Sequence, residues 1–134
     1  MSRIIIDTSA YSAFMRGHKG VVQTLREAET IYINAIIIGE LLAGFARGKY
    51  EKKNREELET FIESPRAQFI EIDYDTAERY AFILNSLRKT GTPIPTNDIW
   101  IAASAMQYGL KIVTTDAHFK KVPQVMVGYY KSLS

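Results

Sequence analysis

Five short runs of mostly β-branched and apolar residues punctuate the chain. Arg3 to Ile6 stops at Asp7 and Ile31 to Ile33 stops at Asn34; Gln68 to Ile72, Lys111 to Thr114 and Gln124 to Val127 have the same form. Runs of this length, bounded by polar residues, predict buried strands. Between them the apolar spacing lengthens to three and four residues, which predicts helices over Lys19 to Glu29, Ala35 to Arg47, Tyr50 to Glu63, Thr76 to Lys89 and Asp98 to Tyr108. Ile37, Leu41, Gly44 and Phe45 would share one face of the second helix, and Ala77, Tyr80, Ala81, Leu84 and Leu87 one face of the fourth. Strands alternating with helices imply an α/β domain whose mainly parallel five-stranded sheet is covered on both faces.

Two stretches refine this outline. Thr90 to Pro95, with Gly91, Pro93 and Pro95, ends one helix and delivers the chain to Asn97 and Asp98 at the start of another. Asp75-Thr76-Ala77-Glu78 has the spacing of a capping box, with Asp73 near its entrance. No internal repeat interrupts the pattern, and 134 residues suit a single domain over 1–134.

Composition narrows the chemistry. Without cysteine there is no disulfide, zinc–thiolate site or cysteine nucleophile, so any metal ligand must be oxygen or histidine. Met1 to Ile6 is too short and too soon interrupted by Asp7 for a signal sequence, and no apolar run approaches the roughly 18 residues of a membrane span. A cytoplasmic protein is expected. The net charge of +2 permits a polyanionic partner without demanding one. Arg16, Lys19, Arg47, Lys49, Lys52, Lys53, Arg88, Lys89, Lys120 and Lys121 fall mostly at segment ends, where they serve solubility or the guidance of a phosphate backbone.

Four acidic residues stand where an apolar segment meets a turn or a helix: Asp7, Glu40, Asp98 and Asp116. Each has an ordinary explanation. Asp7 and Asp116 read as helix or turn caps, with Phe119 anchoring the second, and Asp98 suits the positive end of a helix dipole. Glu40 lies among Ile36, Ile37, Ile38, Leu41 and Leu42, where a carboxylate needs an ion pair or a metal to offset its burial, and Gly39 and Gly44 would permit close packing beside it. In open α/β sheets, ligands bind beyond the carboxyl ends of the strands, and Asp7 and Asp116 both follow strands at that edge. Four carboxylates within ~5 Å would repel by roughly 3 kcal/mol per ionised pair at an effective dielectric near 20. Mg2+ or Mn2+ would relieve that repulsion and favours oxygen ligands. Asn97 is placed to hold the Asp98 carboxylate or to contact a substrate, and Thr114 or Thr115 to offer a hydroxyl. His18 and His118 are too isolated for a triad or a zinc site; His118, close to Asp116, could touch a phosphate but reads first as a surface or capping residue.

The motifs Ile4-Ile5-Ile6-Asp7-Thr8-Ser9, Gly39-Glu40-Leu41-Leu42-Ala43-Gly44, Asn97-Asp98-Ile99-Trp100-Ile101-Ala102-Ala103 and Val113-Thr114-Thr115-Asp116-Ala117-His118-Phe119 together resemble the PIN-domain nucleases, especially the VapC-like toxins. They occur in the family's order across nearly the whole chain. The resemblance implies a three-layer α/β/α fold, Mg2+- or Mn2+-dependent endoribonuclease activity on RNA, homodimerisation and inhibition by a small cognate antitoxin. It carries over Asp7, Glu40, Asp98 and Asp116 as the catalytic and metal-binding quartet, with Thr114 as an auxiliary hydroxyl.

Two other classes make different demands. A haloacid-dehalogenase-like phosphatase needs a second Asp two residues after the first, where this chain has Ser9, and a receiver domain needs paired acids before its acceptor and a late lysine. A catalytically silent member of the same fold, binding RNA or protein, differs in needing no cation to act. Trp100, Phe45, Phe61, Tyr80, Phe82 and Tyr108 would be mostly core, with some left for a dimer or antitoxin face.

Overall fold

A computed structural model describes residues 2–132, so Met1, at the head of the first apolar run, and residues 133–134 lie outside the described residues. The five strands are β1 (Arg3–Ile6), β2 (Thr30–Asn34), β3 (Ala67–Ile70), β4 (Lys111–Thr114) and β5 (Met126–Tyr129). They form one wholly parallel sheet in the order β3-β2-β1-β4-β5. The six helices are α1 (Thr8–Met15), α2 (Lys19–Glu27), α3 (Ala35–Ala46), α4 (Glu51–Ile62), α5 (Tyr74–Thr90) and α6 (Thr96–Tyr108), and a short 3-10 turn follows at Ala117–Lys121. None of the described helices is long and apolar enough to cross a membrane.

The most apolar strand takes the centre. β1 pairs with β2 through Ile4 opposite Ile31, and with β4 through Ile5 opposite Ile112, so Ile4, Ile5 and Ile6 are buried on both sheet faces. The chain first builds outward from β1 through β2 to β3, then crosses to the other side for β4 and β5. Strand order therefore reverses between β1 and β4, and the crevice at the carboxyl ends of these two strands is the expected ligand position.

Several local expectations shift. α1 is absent from the five expected helices, where only the cap reading of Asp7 points to it; it is eight residues long. β3 is an edge strand that ends at Ile70, ahead of the expected Ile72, and β5 starts at Met126 rather than Gln124. The capping box of α5 belongs to Asp73 and Thr76, not to Asp75 and Glu78. Asp73 Oδ1 accepts from the Thr76 N–H at 3.1 Å, while Thr76 Oγ1 accepts from the Asp73 N–H at 3.1 Å. Moving the cap back starts the helix at Tyr74 and, with it, changes the inward face. Thr76, Ile83 and Leu87 are buried, Tyr80 and Leu84 are half-buried, and Ala77 and Ala81 face outward. Larger side chains gain more by burial than alanine does, so they set the helix rotation. Phe82, one of the six aromatics expected to be mostly core with some left for a dimer or antitoxin face, lies on the outer face in this rotation with 56% exposure. Gly39 and Gly44 make no close packing contact: a Cβ would meet nothing within 4 Å at Gly39, and only the far end of Arg47 at 3.9 Å at Gly44.

Candidate active site

The carboxyl end of β1 delivers Asp7 into the crevice, and the start of α1 holds it there. Its extended backbone makes it the N-cap of α1, where Oδ1 accepts from the Ala10 N–H at 2.8 Å. Two hydroxyls add to this. Ser9 Oγ lies 2.8 and 2.9 Å from the two carboxylate oxygens, and Thr114 Oγ1 donates to Oδ2 at 2.7 Å. Both hydroxyls in turn accept backbone N–H groups, Ser9 from Thr115 at 3.0 Å and Thr114 from Asp116 at 2.8 Å. Each hydroxyl has a single proton; the N–H takes one lone pair and leaves the proton free for Asp7, whose oxygens lie closer to each hydroxyl than the 3.2 Å between Ser9 Oγ and Thr114 Oγ1. Capping and site membership are thus the same geometry. Asp7 is only 4% exposed, and burial pushes its carboxyl above the usual range, opposed by these three hydrogen bonds and reinforced by the charge of Asp116.

Glu40 comes from the middle of α3 and is half-buried rather than enclosed. Thr8 Oγ1 donates to its Oε1 at 2.8 Å, and Asn97 Nδ2 donates to its Oε2 at 3.1 Å. Asn97 therefore holds the carboxylate of Glu40, not that of its neighbour Asp98. One donor comes from α1 and the other from α6, so Glu40 ties both helices to α3.

Asp98 occupies the first turn of α6, and Asp116 caps the 3-10 turn after β4, its Oδ1 accepting from the His118 N–H at 2.9 Å. Phe119 in that turn is fully buried, the anchor anticipated for it. The imidazole of His118 lies between the two acids: Nδ1 is 3.4 Å from Asp98 Oδ2 and 3.0 Å from Asp116 Oδ1. Burial raises the Asp98 carboxyl from 3.8 to about 6; the charges of Asp116, Asp7 and Glu40 add to the rise, while His118 opposes it. Asp98 thus feels all three of the other acids.

The sequence singled out the four acids and placed Thr114 and Asn97 beside them, but missed three groups that the fold adds. Thr8 and Ser9 follow Asp7 directly, and hydroxyls in such a position read equally as helix-opening residues. His118 was set aside as a cap; its spacing of two from Asp116 was the available signal. Thr115 contributes its N–H rather than its hydroxyl.

Among the described residues no lysine or arginine forms an ion pair with these carboxylates; His118 alone does. Crowded, partly desolvated acids with no lysine or arginine beside them are relieved by taking up a proton, as the raised Asp98 shows, or by a bound cation. The donors are mostly carboxylate oxygens, the set that hard divalent cations prefer, so the residues present fit such an ion.

The PIN domain matches residues 4–125. The chain belongs to the PIN-domain family. It is 35% identical over 127 residues to Ribonuclease VapC of Rickettsia bellii, covering 92% of this chain and 93% of that protein. In three dimensions this PIN domain resembles VapBC2 from Rickettsia felis, solved bound to a DNA fragment from its promoter, with TM-score 0.83, 22% identity, and 96% and 98% of the two chains covered. It also resembles VapBC-5 from Mycobacterium tuberculosis, described as a member of the VapBC family of toxin-antitoxin systems, with TM-score 0.73, 21% identity, and 95% and 98% covered. The three-layer α/β/α PIN-like fold implied by the sequence motifs is the fold of this chain.

Proposed function

We propose that this PIN domain is a metal-dependent endoribonuclease, the RNA-cleaving toxin of a toxin–antitoxin pair. Asp7, Glu40, Asp98 and Asp116 would form its catalytic and metal-binding set, with Thr114 and Asn97 as auxiliaries. The carrying observation is the convergence of four carboxylates at the β1–β4 crevice with, among the described residues, no lysine or arginine paired to them. The ribonuclease name of the Rickettsia bellii relative supports the activity, and the toxin–antitoxin description of VapBC-5 supports a protein inhibitor as partner. The homodimer implied by the sequence motifs belongs to the same reading.

Mg2+ or Mn2+ held there would offset the charge of the scissile phosphate and make a water more acidic. The protein's part is positional. Asp7 enters as a fixed anion, both oxygens aimed by Ser9, Thr114 and the Ala10 N–H. Glu40 is held by one donor on each oxygen and cannot swing away without breaking both. Asp98 keeps a proton up to about pH 6 in the cation-free site, and that proton must leave before the carboxylate can act as a ligand. Lys120 and Lys121 are exposed on the turn that Asp116 caps, the Lys120 ammonium lying over the Tyr129 ring at 3.8 Å, and an RNA backbone that reached this turn would meet their charge.

Purified protein should cut a mixed RNA pool, including folded transfer RNA, in Mg2+ or Mn2+ and not in chelator. Asp98→Asn should lose at least about two orders of magnitude in rate, as expected when a group central to transition-state electrostatics is neutralised. A folded Asp98→Asn protein that cleaves as fast as the parent would remove the acidic set from the mechanism.

A further inference from the structure

His118 is the one group in the crevice that the acidic quartet does not account for. Its Nδ1 lies 3.0 and 3.2 Å from the two oxygens of Asp116 and 3.4 Å from Asp98 Oδ2. A single N–H, even shared between the two oxygens of Asp116, leaves the Asp98 contact without a proton of its own. A small cation sees them differently. In an octahedral shell with bonds of about 2.1 Å, neighbouring donor atoms stand about 3 Å apart, the spacing found here between the imidazole nitrogen and its carboxylate neighbours. One ligand atom each from Asp98, Asp116 and His118 lies within 4.8 Å of the others. The three residues come from two elements that meet at this point, the first turn of α6 and the 3-10 turn after β4.

Position separates His118 from the other groups. Its side chain is 45% exposed, against 14% for Asp98 and 34% for Asp116, so the imidazole closes the crevice on its solvent side. Its backbone N–H is already committed to Asp116, which fixes where the ring leaves the chain. Asp7, by contrast, is buried and held by three donors. A cation bound between them would have oxygen donors within and a nitrogen donor at the mouth.

We propose that His118 is a direct nitrogen ligand of the catalytic cation, forming with Asp98 and Asp116 a mixed nitrogen–oxygen set that favours Mn2+ and later transition ions over Mg2+. This rests on the reading of the quartet as a cation site. Mg2+ prefers oxygen and gives up its waters reluctantly, whereas imidazole suits ions later in the first-row series. The chain would therefore differ in metal preference from a site built of the four carboxylates alone.

The test is pulsed electron paramagnetic resonance of Mn2+ bound to the RNA-free protein, with titrations of Mn2+ and Mg2+ into the parent, His118→Gln and Asp98→Asn at one fixed pH. The parent should show nitrogen-14 modulation from a coordinated imidazole, and His118→Gln should lack it while melting at the parent's temperature. Mn2+ affinity should fall by at least about tenfold in His118→Gln, the lower end of what even an outer partner of a metal ligand is worth, and Mg2+ affinity by much less. Mn2+ that binds the parent without nitrogen modulation, with both ions weakened alike in His118→Gln, would overturn the ligand role and leave His118 as a hydrogen-bond donor to Asp116; the cation site would stand. Failure of the parent to bind Mn2+ at all would overturn both.

Discussion

Asp98 carries the heaviest electrostatic cost in the crevice, and the sign of that cost sets a pH dependence. The unfolded chain gives up this proton near 3.8, the folded chain near 6. Between those values the folded state binds more protons, so stability falls as pH rises through the window and the loss is complete above it. A shift of about two units corresponds to roughly 3 kcal/mol at most, and residual exposure lowers the figure. Asp7 is raised as well and acts in the same direction, whereas Asp73 is lowered and changes stability only below its ordinary value of 3.8, outside this window. In chelator, Asp98→Asn should therefore be more stable than the parent at pH 7 by roughly 1–3 kcal/mol, and the parent should recover much of the difference on acidification to pH 5. Urea unfolding at the two pH values measures this; a variant less stable than the parent at pH 7 would contradict it. The four acids could be found from sequence because Asp7, Asp98 and Asp116 stand where an apolar segment meets a turn or a helix start and Glu40 interrupts an apolar helix. The hydroxyls of Thr8 and Ser9 could not, because such residues beside an acid fit a helix start with or without a site above it.

At the scale of elements, one buried hydrogen bond joins the helices that carry the site. Asn34 ends β2 and caps α3: its Oδ1 accepts from the Ile37 N–H at 3.1 Å, and its Nδ2 donates to Ser104 Oγ of α6 at 2.9 Å. Both residues are fully buried. α3 carries Glu40 and α6 carries Asn97 and Asp98, so this contact sets the spacing of the two walls from below while Asn97 links them at the crevice. Asn34→Ala would remove a cap, at about 1 kcal/mol, and strand the Ser104 hydroxyl, at about 1–3 kcal/mol. Unfolding free energy should drop by roughly 2–4 kcal/mol, and Asn34→Ala combined with Ser104→Ala should lose less than the sum of the two single variants. Additive losses would show that the residues act separately. From sequence Asn34 was legible only as the residue that stops β2, since its partner lies 70 positions away. The same limitation moved the capping box of α5: Asp75 and Glu78 had the right local spacing, but Asp73 accepts from Gln107 of α6 at 3.1 Å as well as from Thr76, and that tertiary bond favours the earlier start.

For the whole molecule, alternation of strands and helices was enough to predict a parallel sheet, because parallel neighbours require crossovers of this length. Strand order was not legible, since any of several pairings would bury the same apolar runs. The convergence of Asp7 and Asp116 survived that ignorance because it needs only β1 and β4 to be neighbours, and the two most apolar strand interiors find each other at the centre of the sheet. The architecture thereby brings acids far apart in sequence into one crevice, and folding alone does not compensate their repulsion. A cation that binds only the folded crevice must then stabilise the entire domain by mass action. At a hundredfold excess over its dissociation constant, that amounts to about 2.7 kcal/mol. For a domain of this size each kcal/mol moves the melting temperature by about 3–4 °C, so saturating Mn2+ should raise it by roughly 10 °C at pH 7. The rise should shrink at pH 5, where protons on Asp98 compete for the same site, and should largely vanish in Asp98→Asn. An equal rise in the variant would mean that the cation binds elsewhere on the protein.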